Sequence, residues 1–230
     1  MTDPIPTGCD AVDDLLGGGF ERGAATQVYG PPAAGKTNVV LSAAMEVAAA
    51  GQSALYVDTE GLSLDRLEQL AAGHARADQT VDDLASRIII TDALSFEEQQ
   101  EAVQDAAEFA EQVDLIVLDS ATGFYRLRRT EQAEGETLRA VARQITHLLS
   151  LARKHDLAVA FTNQVFTDPD SDQARALGGH TLDHWSGVIL RLDRFRGGNR
   201  RATLEKHHAR EAGATGQFRI VETGLADAER

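Results

Sequence analysis

The 230-residue chain is poor in cysteine, in lysine and in long apolar runs. The single cysteine, Cys9, excludes an intrachain disulfide and fits a reducing cytosol. No apolar run approaches the roughly 20 residues that a membrane-spanning helix needs. Residues 1–4 have neither the basic start nor the apolar stretch of a signal peptide. These absences predict a cytoplasmic protein that does not associate with a membrane.

Lysine is so scarce that three lysines accompany 19 arginines, against 36 acidic residues and a formal net charge of −14. We interpret this balance as adaptation to a very salty cytosol, where charge repulsion is screened within about 3 Å at 1 M salt. An ordinary acidic protein from a GC-rich genome is the alternative. In either case the acidic balance argues against nucleic-acid binding unless local basic clusters override it.

One segment carries a phosphate-binding pattern. Residues 30–37 read G-P-P-A-A-G-K-T and fit the P-loop pattern G-x-x-x-x-G-K-[ST]. An apolar strand at 25–29 and a helix at 37–50 would aim backbone N–H groups and a positive helix end at a phosphate chain. Lys36 would reach the β- and γ-phosphates, and the Thr37 hydroxyl would bind Mg²⁺. The predicted ATP-binding residues are Gly30, Pro31, Pro32, Ala33, Ala34, Gly35, Lys36, Thr37 and Asn38.

The remainder of the chain alternates apolar runs with amphipathic segments. Strands are predicted at 53–57, 87–90, 115–120 and 157–161, and helices at 63–72, after the capping box Ser95-x-x-Glu98, and at 137–155. A polar stretch at 166–180 follows, long enough to be functional or disordered, and then three short strands near 187–192, 201–206 and 217–222. This order predicts a single α/β domain over residues 1–230, with a mostly parallel twisted sheet flanked by helices and an antiparallel C-terminal edge.

Three polar side chains stand at the ends of predicted strands, where ligands bind in open α/β sheets. Asp119 follows four apolar residues, as a Walker B aspartate that holds Mg²⁺ through water does. Glu60 is the candidate general base for the attacking water, and Gln164 could bind the γ-phosphate and report it to the polar stretch. The alternatives are a turn-forming aspartate, a solvated loop glutamate and an ordinary strand-end glutamine.

Several motifs occur in a family order. They are T-G-C-D-A-V-D-D-L-L-G-G-G-F-E-R-G at the start, the P-loop, Y-V-D-T-E-G, L-I-V-L-D-S-A-T, T-N-Q-V and G-G-H-T-L. Over about residues 5–225 the chain resembles the RecA/RadA recombinases, and most of all their archaeal RadA paralogues. The resemblance implies a RecA-type P-loop ATPase core with weak ATPase activity that uses ATP and Mg²⁺. It also implies partnership with DNA, RadA recombinase and a Holliday-junction nuclease.

The resemblance assigns roles to the matching positions and also exposes departures. It supports Lys36 and Thr37 for phosphate and Mg²⁺, Asp119 as the Walker B residue, Glu60 for water activation and Gln164 as γ-phosphate sensor. Ala33 stands where these relatives usually carry glycine. Because the core starts at about residue 5, we expect no N-terminal helix–hairpin–helix domain and no polymerisation segment. Strand exchange by the chain itself is therefore not expected.

Local basic clusters are the candidates for DNA binding. The segment 123–136 is similar to the first DNA-binding loop of the family, and 166–180 to the second. The predicted DNA-binding residues are Arg126, Arg128, Arg129, Tyr125 and Arg175. Residues 191–210 carry a net charge of +5. Lys206 could act as a finger toward the γ-phosphate of a neighbouring subunit in a homo-oligomer. The alternatives are arginines that pair with surface carboxylates and a solvated lysine.

Three functions remain open on the sequence. The leading one is a recombinase paralogue that binds ATP and DNA and assists repair. The second is a clock-type signalling ATPase, similar to KaiC, that acts through protein contacts without DNA. A small-molecule kinase is disfavoured because a second set of substrate-binding arginines is not evident. His180 and His184, and the adjacent pair His207 and His208, are not predicted to bind metal, because no cysteine or carboxylate completes a ligand set at suitable spacing.

Overall fold

The computed structural model describes residues 3–125, 134–167, 174–195 and 198–228. The helices in these ranges are α1 (Asp10–Leu16), α2 (Lys36–Ala49), α3 (Leu64–His74), α4 (Val81–Ala85), α5 (Phe96–Phe109), α6 (Glu134–His155) and α7 (Gly179–Trp185). The strands are β1 (Ala25–Tyr29), β2 (Ala54–Asp58), β3 (Ile88–Asp92), β4 (Leu115–Asp119), β5 (Ala158–Asn163), β6 (Val165–Thr167), β7 (Ala174–Ala176), β8 (Val188–Arg194), β9 (Arg200–Lys206), β10 (Thr215–Val221) and β11 (Gly224–Asp227).

A nine-stranded sheet with the order β11-β10-β9-β8-β1-β5-β4-β2-β3 forms the centre of the fold. The strands from β8 through β1 to β3 pair in parallel. The strands from β8 outward to β11 pair antiparallel. The predicted mostly parallel sheet with an antiparallel C-terminal edge is therefore confirmed.

The central strands are buried on both faces, because successive side chains of a strand point to opposite sides of the sheet. Tyr56 and Val117 lie in one core with apolar residues of α1, α2 and α3. Leu55 and Ile116, their neighbours in sequence, lie in the second core with residues of α5 and α6. Such strands need helices on both faces, which is why their sequences read as continuous apolar runs.

The parallel register brings four strand ends to one edge of the sheet. Asp58 at the end of β2 pairs with Asp119 at the end of β4, and Tyr29 at the end of β1 pairs with Asn163 at the end of β5. The P-loop follows β1 directly, so the polar residues beyond β2, β4 and β5 meet at its side. This convergence was the prediction made from the strand ends.

Some predicted boundaries are wrong. The stretch 166–180, for which no strand was predicted, contains part of the antiparallel hairpin of β6 and β7 and the start of α7. Helix α4, which begins with a capping box of Thr80 and Asp83, was not predicted, and neither was β11.

Among the described residues, no helix combines the length and the apolar character needed to cross a membrane.

Candidate nucleotide-binding site

The P-loop leaves β1 through a backbone contact that only glycine permits. A Cβ on Gly30 would lie 2.2 Å from the carbonyl oxygen of Leu192 in β8. At the other end of the loop Gly35 has a φ of 106°, and α2 begins at the next residue. The N–H groups of the first helical turn have no partner within the helix and can bind phosphate oxygens.

Lys36 lies between the loop and two carboxylates. Its Nζ donates to the carbonyl oxygens of Gly30, at 3.1 Å, and of Pro31, at 3.3 Å. Burial lowers the pKa of Lys36, and the negative charges of Glu60 and Asp119 oppose that shift. The amine is thus held at the site where the sequence predicted that phosphates bind.

The Asp119 carboxylate is almost fully buried and receives hydrogen bonds from three hydroxyl groups. Tyr56 Oη donates to its Oδ2 at 2.6 Å, Thr162 Oγ1 donates to its Oδ1, and Thr37 is the third partner. Burial raises the pKa of Asp119, and the three hydrogen bonds act in the opposite direction. Thr37 and Asp119 are adjacent oxygen donors of the kind that Mg²⁺ prefers, so the residues present fit the ion.

Glu60 lies in a loop that a second aspartate holds in shape. Asp58 Oδ1 accepts the N–H groups of Glu60, at 3.0 Å, and Gly61, at 3.1 Å. Its other oxygen, Oδ2, accepts the N–H of Leu62. The carboxylate at the end of β2 therefore fixes the turn that presents Glu60, whose side chain is exposed to solvent.

Gln164 occupies the bend between β5 and the β6–β7 hairpin. Its Nε2 donates to Glu60 Oε1 at 3.2 Å, and its backbone N–H donates to Thr122 Oγ1 at 3.2 Å. A cavity of about 410 Å³ lies between these side chains and the loop. Its lining includes Gly35, Lys36, Thr37, Asn38, Glu60 and Gln164. Seven of the nine predicted ATP-binding residues thus line one cavity together with Glu60 and Gln164, whereas Pro31 and Ala34 do not line it, and Asp119 contacts its lining residue Thr37.

The loop contains one residue in a costly backbone conformation. Ala33 has a φ of 59°, in the left-handed region that glycine adopts freely. Glycine would adopt this φ without strain, which is the physical reason why relatives usually carry glycine at this position.

The predicted DNA-binding residues divide into three groups. Arg126, Arg128 and Arg129 lie outside the described residues. Arg175 is exposed on β7. Tyr125, which we expected to stack on bases, has only 4% of its surface exposed. The Tyr125 ring is therefore not accessible to a base in this structure, and a role of Tyr125 in DNA binding stays a prediction.

The basic C-terminal segment is partly neutralised by neighbouring groups. Arg191 pairs with Asp193 at 3.1 Å and with Glu205 at 3.9 Å. Arg201 pairs with Asp193 at 3.9 Å and lies 5.4 Å from the centre of the Phe195 ring. For these two arginines the alternative of pairing with carboxylates is the one that the structure supports.

Lys206 does not line the nucleotide cavity of its own chain. It pairs with Ile189 near the start of β8, whereas the P-loop contacts Leu192 toward the end of that strand. Its Nζ donates to the carbonyl oxygen of Asp183 at 2.7 Å. A role of Lys206 toward a neighbouring subunit stays a prediction.

Sequence reasoning missed the residues that support this site. Asp58, Tyr56 and Thr162 were not singled out, although period-two alternation along β2 would have placed Tyr56 and Asp58 on the P-loop side. Arg66 was also missed: its Nε donates to Asn38 Oδ1 at 2.9 Å, and its Nη2 to the Val221 carbonyl at 3.0 Å. It connects the start of α2 to the C-terminal strands.

Comparison with known proteins agrees with this geometry. A sequence model of the Rad51 family matches residues 3–228. The chain is 61% identical over 224 residues to the DNA repair and recombination protein RadB of Halobacterium salinarum, covering 96% of this chain and 94% of that one. It is 41% identical over 227 residues to the RadB of Methanococcoides burtonii, covering 98% of each. The crystal structure of a RadB recombinase superposes with a TM-score of 0.84 at 36% identity, over 98% of this chain and 100% of that one.

Proposed function

The chain belongs to the Rad51 family, and from that premise we propose that it is an ATP-binding recombinase paralogue that binds DNA and assists repair by homologous recombination. The observation that carries the proposal is the convergence of Lys36, Thr37, Glu60 and Gln164 on one cavity, with Asp119 hydrogen-bonded to Thr37 behind it. Membership of this family favours the recombinase paralogue over the KaiC-like signalling ATPase.

ATP would lie along the P-loop with its phosphates at the start of α2. Backbone N–H groups and Lys36 would bind the phosphate oxygens, and Thr37 and Asp119 would hold the Mg²⁺ ion. When bound, Mg²⁺ supplies positive charge that offsets the charge of the phosphates. The three hydroxyl groups around Asp119 fix the carboxylate that orients the ion.

Hydrolysis requires a base close to the γ-phosphate, and Glu60 takes that role. Its carboxylate accepts a proton from water as the water oxygen bonds to phosphorus and the bond from phosphorus to the ADP oxygen breaks. Asp58 positions Glu60 through the backbone of the turn. We propose weak ATPase activity, because Ala33 restricts the loop and the base is shared with Gln164.

Gln164 would transmit the state of the nucleotide to the β6–β7 hairpin. A γ-phosphate would offer acceptors to the Gln164 amide, which already donates to Glu60, and Val165, the next residue, begins β6. Arg175 on β7 and the arginines at 126, 128 and 129 would bind DNA phosphates through bidentate contacts. RadA recombinase, a Holliday-junction nuclease and further copies of this chain are the proposed protein partners.

ATP turnover with and without single-stranded DNA, measured beside Glu60→Gln, tests this function. We expect slow turnover that DNA changes, and a loss of about 100-fold or more in the variant, because removal of a positioned base costs on the order of 10²–10⁴ in rate. Nucleotide binding should persist. Glu68→Gln, an exposed change on α3, is the matched control. Equal turnover in Glu60→Gln and wild type would refute the assignment of the base, and no DNA binding at any salt concentration would favour the signalling ATPase.

A further inference from the structure

Three side chains that could ligate a metal meet on the surface away from the nucleotide cavity. Glu21 precedes β1, and His207 and His208 follow β9. One carboxylate oxygen and one nitrogen from each imidazole all lie within 4.8 Å of one another. Glu21 Oε2 is 3.2 Å from His208 Nδ1, and the two imidazole rings are stacked with their centres 4.7 Å apart. The fold brings Glu21, which is remote in sequence, to the histidine pair.

We propose that Glu21, His207 and His208 form a binding site for a divalent transition-metal ion, with Zn²⁺ as its representative. Two imidazole nitrogens and one carboxylate oxygen are a common three-residue ligand set for Zn²⁺, with water in the fourth position. Imidazole ligands favour transition metals over Mg²⁺, which prefers oxygen. The set is therefore chemically distinct from the pair of Thr37 and Asp119.

The surroundings of His207 suit a ligand. Its Nδ1 accepts the backbone N–H of Ala209 at 3.1 Å, so Nε2 carries the proton and donates to the Leu16 carbonyl at 3.3 Å. Metal-binding histidines usually donate their second N–H to a carbonyl or carboxylate in this way. Ligation through Nδ1 would release the N–H of Ala209, which is exposed and can bond to water.

The ligands come from opposite ends of the chain and meet only when the protein is folded. A bound ion would join the segment before β1 to the end of β9, next to the hydrogen bond from Arg210 Nη1 to the Asp14 carbonyl at 2.7 Å. Because an ion that binds only the folded state stabilises it, Zn²⁺ should raise the melting temperature. This effect requires neither nucleotide nor DNA.

The test is a titration of the untagged, full-length, metal-stripped chain with Zn²⁺ in competition with a chromophoric chelator. We expect one equivalent to bind, and Glu21→Gln and His208→Gln each to weaken binding at least tenfold. Both substituted side chains are partly or fully exposed, so melting of the metal-free variants checks that folding is unchanged. His180→Gln, an exposed change on α7, is the matched control and should bind like wild type.

Substitution with Co²⁺ gives a second measurement, since its visible absorption bands report nitrogen ligands and should disappear in His208→Gln. Three results would each overturn the proposal. The first is unchanged affinity in both site variants, and the second is loss of binding in the α7 control alone. The third is millimolar binding without a melting shift, which would mean adventitious surface coordination only. None of these results depends on ATP hydrolysis, so the proposed ATPase function stands or falls separately.

Discussion

Gln164 Nε2 donates a hydrogen bond to Glu60 Oε1 across 3.2 Å. The contact joins the loop after β2 to the bend after β5, which are separated by β4 in the sheet. It places the residue proposed to sense the γ-phosphate directly on the residue proposed to activate water. The amide NH₂ has two N–H donors, so one side chain can contact Glu60 and a γ-phosphate oxygen together, and the two roles are coupled through the position of Gln164.

We therefore predict that Gln164→Ala separates ATP binding from the response to DNA. ATP affinity should stay within about threefold of wild type, because the P-loop makes the main phosphate contacts. The change in turnover on adding single-stranded DNA should be lost. Nucleotide titration and steady-state hydrolysis measure both effects. Gln112→Ala, an exposed change outside the site, is the control, and a retained response to DNA in Gln164→Ala would contradict the coupling.

Two tyrosines offer a matched test of how Asp119 is held. Tyr56 Oη donates to Asp119 at 2.6 Å inside the core, and Tyr29 Oη donates to Glu205, also at 2.6 Å, whose side chain reaches solvent. Tyr56→Phe should lower the free energy of unfolding by about 1.5–3 kcal/mol, the usual cost of losing a hydrogen bond to a charged group. Tyr29→Phe should cost about 1 kcal/mol or less, because water can replace the lost donor.

The same pair separates stability from metal binding. Tyr56→Phe should raise the Mg²⁺ concentration needed for half-maximal ATP binding, since the carboxylate loses one of the groups that orient it. Tyr29→Phe should leave that concentration unchanged. Urea unfolding and a Mg²⁺ titration of ATP binding measure the two effects. An equal Mg²⁺ dependence in both variants would show that Tyr56 contributes to packing in the core and not to the orientation of Asp119.

Ala33 and Ala34 should respond to glycine in opposite directions. Ala33→Gly removes the strain of a left-handed alanine and should raise the free energy of unfolding by about 1 kcal/mol. Ala34→Gly removes a buried methyl group and should lower it by about 1 kcal/mol. Chemical denaturation measures both changes. A destabilised Ala33→Gly variant would mean that the observed φ does not carry this cost.

Asp13 provides a prediction on pH. Burial raises the pKa of Asp13 to about 6, against hydrogen bonds from Thr7 that act in the opposite direction. The folded state then holds this proton more tightly than the unfolded state, so its contribution to stability falls as pH rises from about 4 to about 6. Asp13→Asn removes that dependence while its amide oxygen can still accept from Thr7.

We expect Asp13→Asn to be more stable than wild type by about 1 kcal/mol at pH 8, with the difference shrinking toward pH 4. The magnitude is less than the full shift implies because the side chain is partly exposed to solvent. Urea denaturation at several pH values, with the exposed Asp14→Asn as control, measures it. A difference that does not change with pH would contradict the role given to Asp13.

The sequence was sufficient to predict the central strands and the polar residues at their ends, because buried parallel strands are short apolar runs that stop abruptly. Asp119 and Glu60 could be placed at one sheet edge for this reason. The capping box at Ser95 was only half right. Glu98 N–H does donate to Ser95 Oγ, but the Glu98 carboxylate accepts from Leu94 and not from Ser95.

Contacts between distant segments could not be predicted, since no local pattern encodes them. The burial of Tyr125 is one example, because an aromatic residue beside arginines is equally consistent with a base-stacking residue and with a buried one. Glu21 and the histidine pair are far apart in the chain, so spacing rules for metal ligands gave no signal. The hydrogen bonds of Asp58 are local in sequence, but they could not be predicted because they depend on a turn that directs three successive backbone N–H groups at its carboxylate.

The position of β1 in the middle of the sheet has a consequence for synthesis on the ribosome. β1 is among the first segments to emerge, yet its pairing partners, such as Val159 and Val188, are translated far later. At about 5–20 residues per second, the nascent β1 waits roughly 10–30 s for them. Because Gly30 also packs against the Leu192 carbonyl, the phosphate loop can reach its final position only after β8 has been translated, near the end of synthesis.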